Sequence, residues 1–377
     1  MQDQENLLIV ADSERDANMF YAVGMFVPDP FIYLRIQGRS YVVMSDLEID
    51  RARKQAPHCR ALPLSRYQKE ARARGVKQPG LGCAIHSILR AKKVRRVTVP
   101  ANFPLGLAAE LERLGVRVKP KPDTFFAQRE AKSPDEVRKI SAAMRITEGA
   151  MAAAMQVLRS AKAGPAGRLL FQGTPLTSEG LRAVIDTTIA QTGGLAAHTI
   201  VAGGEQACDP HERGHGPLRA NEPIILDIFP RSQKTGYFGD LTRTVVRGRA
   251  SEAVRKLYAT VQQGQRLAFD KMRPGVPTAE VHRTVNEFFV SQGYRTGKHR
   301  GRMQGFFHGT GHGLGLDIHE PPRTGPHSAG KLKLGQVVTV EPGLYYPGLG
   351  GVRLEDVALV TNNNPRNLTH CEKVLEI

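Results

Sequence analysis

The sequence predicts two domains, an α/β domain followed by an α+β domain. Three observations lead there. Short apolar strands and helices alternate through roughly the first 125 residues. A capped, long helix opens at Ser133. From Thr199 onward, strand-like apolar runs end in acidic residues and histidines, with two amphipathic helices between them.

In the first domain, Leu7 to Val10 reads as a strand. Phe31 to Ile36, then Gly38, then Ser40 to Met44 reads as strand, turn, strand. A helix is expected from Asp46 to Lys54, with acidic residues in its first turn. Ile85 to Ala91 follows as helix, Arg96 to Val99 as strand, Leu105 to Leu114 as helix stopped by Gly115, and Val116 to Val118 as strand. The segment from Ala127 to Glu136 is the boundary, giving domains of residues 1–130 and 131–377.

There Ser133 reads as an N-cap, Pro134 as the first helical residue and Glu136 as the capping-box partner. Val137, Ile140, Met144, Met151, Met155 and Leu158 recur at helical spacing, and the methionine stripe is core packing. A Gly/Pro-rich stretch from Ala163 to Pro175 leads to a helix beginning near Ser178 and stopping at Gly193 and Gly194. Two later helices run from Ala253 to Met272 and from Thr278 to Gln292.

With 377 residues, 41% hydrophobic and 24% charged, the chain has ordinary globular composition and room for two cores. No apolar run is long enough to span a bilayer, and the acidic start lacks the pattern of a secretory signal. Cys59, Cys83, Cys208 and Cys371 are scattered without C-x-x-C spacing, which argues against a disulfide framework or zinc knuckle and suits a reducing cytoplasm. The formal net charge is +17. The basic clusters at Lys92 to Arg96 and Lys298 to Arg302 carry no nucleic-acid motif, so nucleic acid is not expected as a primary partner.

The chemistry concentrates in the last 150 or so residues. Asp227 ends an apolar run, Asp240 precedes Leu241 to Thr244, and His312 lies in the glycine-rich segment from His308 to His319. Glu341 follows the strand-like Val337 to Val340, and Glu355 follows the strand-like Gly351 to Leu354, which Val357 to Val360 continues. Four carboxylates and one imidazole form a hard, oxygen-rich set that suits two divalent ions. Asp227 and Asp240 flank an apparent hairpin with a loop at Arg231 to Gly236. Alone they would read as two surface aspartates near a turn, and Arg353 alone as a surface charge.

These motifs resemble the pita-bread metallopeptidases: methionine aminopeptidase, prolidase and Xaa-Pro aminopeptidase. In that family the ligands run Asp, Asp, His, Glu, Glu, the order found here, and the resemblance covers residues 133–377. The preceding region resembles the creatinase/prolidase N-terminal domain, at Asp16 to Tyr21 and Glu48 to Arg53. The implied fold is thus an α/β creatinase/prolidase-like domain plus an α+β pita-bread catalytic domain.

The resemblance implies that Asp227, Asp240, His312, Glu341 and Glu355 hold two divalent ions, Mn²⁺ in the usual family reading, with Co²⁺, Zn²⁺ or Fe²⁺ also able to occupy such sites. By resemblance, Asp240 and Glu355 bridge the ions, and Glu341 also takes the proton from water. His319 would contact the peptide and stabilise charge, His308 would shape the pocket, and Arg353 matches an arginine of proline-specific members. A further family histidine is either His211, which fits the usual distance better, or His215. The implied substrate is a peptide with proline at its second position, and the implied assembly a homodimer or higher homo-oligomer. A same-fold hydrolase of another amide and a non-catalytic pita-bread binding module are the alternatives. The chain departs from the pattern twice. The aspartates are 13 positions apart, about two more than expected, and Asp227-Ile-Phe-Pro230 replaces the usual Asp-Ala-Gly. Both suggest a longer hairpin tip.

Overall fold

The computed structural model describes residues 5–122 and 124–377. The first four residues of the acidic start lie outside them. The chain divides into two compact units, Met1–Ala127 and Gln128–Ile377. No helix among the described residues is long and apolar enough to cross a membrane.

The first unit is a six-stranded sheet covered on both faces. Its elements are β1 (Leu7–Ala11), α1 (Ala17–Val23), β2 (Phe31–Ile36), β3 (Arg39–Met44), α2 (Ile49–Gln55), β4 (Arg60–Pro63), α3 (Leu64–Ala73), α4 (Leu81–Ala91), β5 (Arg96–Pro100), α5 (Leu105–Arg113) and β6 (Arg117–Lys121). The strand order is β4-β3-β2-β1-β5-β6. Alternation within β1 sorts the core. Leu7 and Ile9 pack with α1 and α2, while Leu8 and Val10 pack with α4 and α5. The helix expected from Asp46 begins at Ile49, because Ser45 to Glu48 close a turn first. Four features have no reading in the sequence: α1, capped by the Asp16 carboxylate on the Met19 amide; β4; α3; and the first turn of α4.

The second unit opens on α6 (Pro134–Ser160), whose capping box is formed by Ser133 and Glu136 in both directions. All six apolar positions of its stripe are buried. A small sheet of β7 (Lys162–Ala163), β8 (Leu169–Phe171) and β9 (Thr174–Pro175) fills the Gly/Pro-rich stretch. Then come α7 (Ser178–Gln191), β10 (Gly194–Leu195), β11 (Ile200–Gly203), β12 (Pro223–Ile228), β13 (Arg231–Ser232) and β14 (Leu241–Val246). The helices α8 (Glu252–Lys271) and α9 (Thr278–Ser291) follow, and after them the hairpin β15 (Gly297–His299) and β16 (Arg302–Gln304). The last strands are β17 (Gly311–Gly313), β18 (Glu320–Thr324), β19 (Val337–Val340), β20 (Gly343–Tyr346), β21 (Gly350–Arg353), β22 (Asp356–Leu359) and β23 (Arg366–Asn367). Two halves share one plan. α6 and α7 cover the sheet β11-β12-β14, and α8 and α9 cover the sheet β18-β17-β19-β22-β23.

One strand expectation is corrected. Val352–Leu354 and Val357–Val360 do not form one continuous strand. β21 pairs with β20, whereas β22 pairs with β19 and β23. The chain changes sheets at Leu354 and Glu355, so Glu355 occupies the junction.

Candidate metal centre

β12 and β14 run antiparallel, with Asp227 opposite Thr242 and Ile228 opposite Leu241. Asp227 and Asp240 therefore emerge at the same end of one hairpin. The connection between them is not a free tip. β13 pairs with β10, and Phe238 donates its amide to the Gly315 carbonyl at 2.9 Å. Gly239 presses on α6, where a Cβ would lie 2.3 Å from Thr147 Oγ1. The extra residues thus dock the loop. β14 is buried along its whole length, and Arg243 inside it donates to the carbonyls of Thr242, Glu355, Cys371 and Glu372 and to Asp356.

His312 sits on β17, at an irregularity in its pairing with β18. Gly311 is required here, since a Cβ would meet the Thr339 carbonyl at 1.9 Å. The His312 amide donates to Thr339 Oγ1 at 3.0 Å, and Nδ1 lies 3.1 Å from the Gly313 carbonyl. A proton on Nδ1 leaves Nε2 as the free ligand atom. Nε2 is 3.2 Å from Glu341 Oε1 and 3.7 Å from Asp240 Oδ2. Glu341 ends β19, its amide bonded to the Thr310 carbonyl. At the sheet junction, the Glu355 amide donates to the Thr242 carbonyl and its Oε2 accepts from Thr242 Oγ1 at 2.8 Å.

Asp240, His312 and Glu355 are buried, and one ligand atom from each lies within 4.8 Å of the others. Burial, then repulsion from Asp227, pushes the Asp240 carboxyl well above its usual range. Burial and repulsion from Asp240 do the same to Glu355. Burial also acts to raise Glu341, but when Nε2 is protonated too the hydrogen bond and charge of His312 outweigh it and hold Glu341 down at about 2. Asp227 Oδ2 pairs with Arg353, while Oδ1 is buried without a partner. This clustered, under-neutralised set with an orphaned acceptor fits divalent cations.

All five donors line one cavity of about 690 Å³ together with His211, His308, His319 and Arg353. His215 does not reach it. It is exposed and lines a separate cavity of about 440 Å³ beside Gln206 and Glu222. Arg353 is buried rather than a surface charge. It donates to Tyr345 Oη at 3.0 Å, and because the Nδ1 proton of His308 faces a carbonyl, Nε2 of the neutral ring accepts from the tyrosine hydroxyl at 2.8 Å. His308 Nδ1 then donates to the Gly309 carbonyl at 2.7 Å. Both His308 nitrogens are engaged, and burial lowers its pKa to about 4, so it is a neutral anchor. The His319 ring meets His312 edge-on, with centroids 4.4 Å apart.

No sequence motif points to a role for Tyr345, His198, Arg323 or Phe229, although all but Tyr345 line the cavity. Tyr345 closes the run Glu341-Pro-Gly-Leu-Tyr, four residues past Glu341. His198 lies outside every motif and adopts φ +58°.

A sequence model described as Metallopeptidase family M24 matches residues 138–362. The Xaa-Pro dipeptidase of Pyrococcus horikoshii is 28% identical over 287 residues, covering 75% of this chain and 75% of that protein. Two solved structures are similar over nearly the whole chain. The Xaa-Pro dipeptidase from Bacillus anthracis has a TM-score of 0.82 at 20% identity, covering 99% of this chain and 95% of that one. The X-Pro aminopeptidase from Thermotoga maritima has a TM-score of 0.82 at 21% identity, covering 99% and 97%. These likenesses establish the fold as an α/β creatinase/prolidase-like domain with an α+β pita-bread domain.

Proposed function

Because this chain belongs to metallopeptidase family M24, we propose that it hydrolyses the bond between an N-terminal residue and a following proline, in dipeptides or at the start of longer peptides. The observation that carries this reading is the convergence of five candidate ligands and four further histidines on one cavity. Asp227, Asp240, His312, Glu341 and Glu355 would hold two divalent ions, Mn²⁺ first among the candidates. Bound ions of this kind acidify water and polarise a carbonyl.

The remaining work falls to the chain. Glu341, lining the cavity beside His312, would accept the proton of the attacking water. His319, with His211 opposite, donates hydrogen bonds to the oxygen that gains charge. His308 is locked by Tyr345 and Gly309 and walls the pocket. Arg353 is committed to Asp227, Tyr345 and the Pro210 carbonyl, which makes it a positioning residue. Arg323 is exposed on the cavity wall and can meet a substrate carboxylate, which supports the dipeptidase form. The four free cysteines support a reducing, cytoplasmic setting.

The test is hydrolysis of Ala-Pro beside Ala-Pro-Ala by Mn²⁺-loaded protein, with His312→Ala as control. Cleavage of the dipeptide alone means a dipeptidase, and cleavage of the longer peptide an aminopeptidase. Failure on both with metal bound overturns the proline-specific reading and favours another amide. Failure without metal uptake favours a binding module.

A further inference from the structure

The net charge of +17 is not accounted for by the peptidase site, and one part of it is concentrated. Between Arg51 and Ala109 the sequence has 14 Lys and Arg but a single carboxylate, Glu70, which is paired with Arg66. Strand register shows where part of this charge collects. Arg60 opens β4 opposite Tyr41, near the start of β3, and Arg39 is the first residue of β3. Arg96 and Arg117 are opposite each other at the starts of the parallel strands β5 and β6. The Arg117 amide bonds to the Arg95 carbonyl. β1 joins the two groups, since Leu7 is opposite both Arg35 and Thr98. Lys92 reaches the same end, with Nζ 5.5 Å from the Tyr41 ring.

Arg39, Arg60, Lys92, Arg95, Arg96 and Arg117 therefore form one rim across the first unit's sheet. All six are exposed, and among the described residues none is in an ion pair. Among the described residues the carboxylates at this end are Glu5, bonded to Thr98, and Glu112 in the last turn of α5. Protection of edge strands explains Arg60 and Arg117. It does not explain Arg39, Lys92 and Arg95, which lie at or in turns serving inner strands.

We propose that this rim is a docking surface for the phosphate backbone of double-stranded DNA. Six strands at about 4.8 Å spacing spread the cations over roughly 24 Å, a row matched to a linear polyanion. Five of the six are arginines, whose planar guanidinium fork suits phosphate oxygens. No exposed aromatic ring accompanies them, Tyr41 being buried under Lys92. A stacking platform for single strands is thus missing from the rim, and contact is with the backbone, without base readout.

The test is fluorescence anisotropy with a labelled 24-base-pair DNA duplex and the full chain, at NaCl concentrations from 50 to 200 mM. The expected result is binding whose affinity falls with a log–log salt slope of about −4. Arg39→Glu with Arg95→Glu and Arg96→Glu should weaken it at least about tenfold and flatten the slope by about 3. A control with the same change of net charge, Lys256→Glu with Lys298→Glu and Arg300→Glu in the second unit, should bind within about threefold of the parent. If charge reversal prevents folding, as read by thermal melting, the Arg→Gln version of the rim variant is used and should give a smaller loss in the same direction. The proposal is overturned by no duplex binding, by an equal loss in the control, or by tighter binding of a single strand of the same length.

Discussion

Arg353 Nη2 lies 2.8 Å from Asp227 Oδ2, in a buried ion pair beside the candidate ligands. The same guanidinium binds Tyr345 and the Pro210 carbonyl, so it cannot follow a substrate. Its effect on the centre is to fix Asp227 and leave that residue's Oδ1 open.

Replacing Arg353 by Met removes one partner and strands the other. Breaking a buried pair this way costs about 3–5 kcal/mol. Urea unfolding of the metal-free protein should show a loss of that size, and a smaller one with Mn²⁺ present, because a cation offsets the Asp227 charge. Equal losses under both conditions would show that Asp227 is not a ligand.

Metal removal is expected to abolish hydrolysis and to lower the melting temperature. A ligand at 100 times its Kd stabilises by about 2.7 kcal/mol. Asp240→Asn should lose that metal-dependent shift, measured calorimetrically, while the metal-free variant melts no lower than the metal-free parent, since the change deletes a costly buried charge. A metal-dependent shift retained in Asp240→Asn would remove that residue from the ligand set.

Tyr345→Phe deletes the hydroxyl between Arg353 and His308. It leaves a buried acceptor on His308 Nε2, a cost of about 1–3 kcal/mol. Nitrogen chemical shifts of the imidazole should report loss of the Nδ1-protonated form as the sole tautomer. An unchanged tautomer would show that Gly309 alone fixes the ring.

Glu320 follows His319 and is buried. It takes hydrogen bonds from the Leu316 and Asp317 amides, Lys132 and Arg129. Burial acts to raise its pKa, but Lys132 and Arg129 outweigh it and hold it below the usual value. A depressed carboxylate contributes stability that is fully present above its unfolded pKa of about 4.3 and is lost as pH falls through the folded value. Glu320→Gln should therefore cost about 3–5 kcal/mol at pH 7, with the gap to the parent closing below about pH 4. A gap independent of pH would assign the cost to packing.

Much of this was legible because local rules and tertiary structure agree. Ser133 and Glu136 cap α6 as their spacing demands, and apolar runs ending in Asp227 and Glu341 lie where strands deliver them. Glu355 was legible as a type but not as a position. Val352 to Val360 reads as one strand, and only pairing partners across the fold divide it. The role of Tyr345 depends on what its hydroxyl touches eight residues along the chain, at Arg353, and 37 residues back, at His308. Periodicity carries no such information. The docked connection after Asp227 depends in the same way on β10.

Glu355 lies between β21 and β22 and bonds through its amide to Thr242 of β14, and the other candidate ligands are divided between two sheets. Asp227 and Asp240 come from the hairpin of β12 and β14, and His312 and Glu341 from the sheet containing β17 and β19. Neither half of the second unit can assemble the centre alone. A fragment lacking either sheet would therefore carry only part of the candidate ligand set, and uptake of a divalent ion is expected only once both sheets have met.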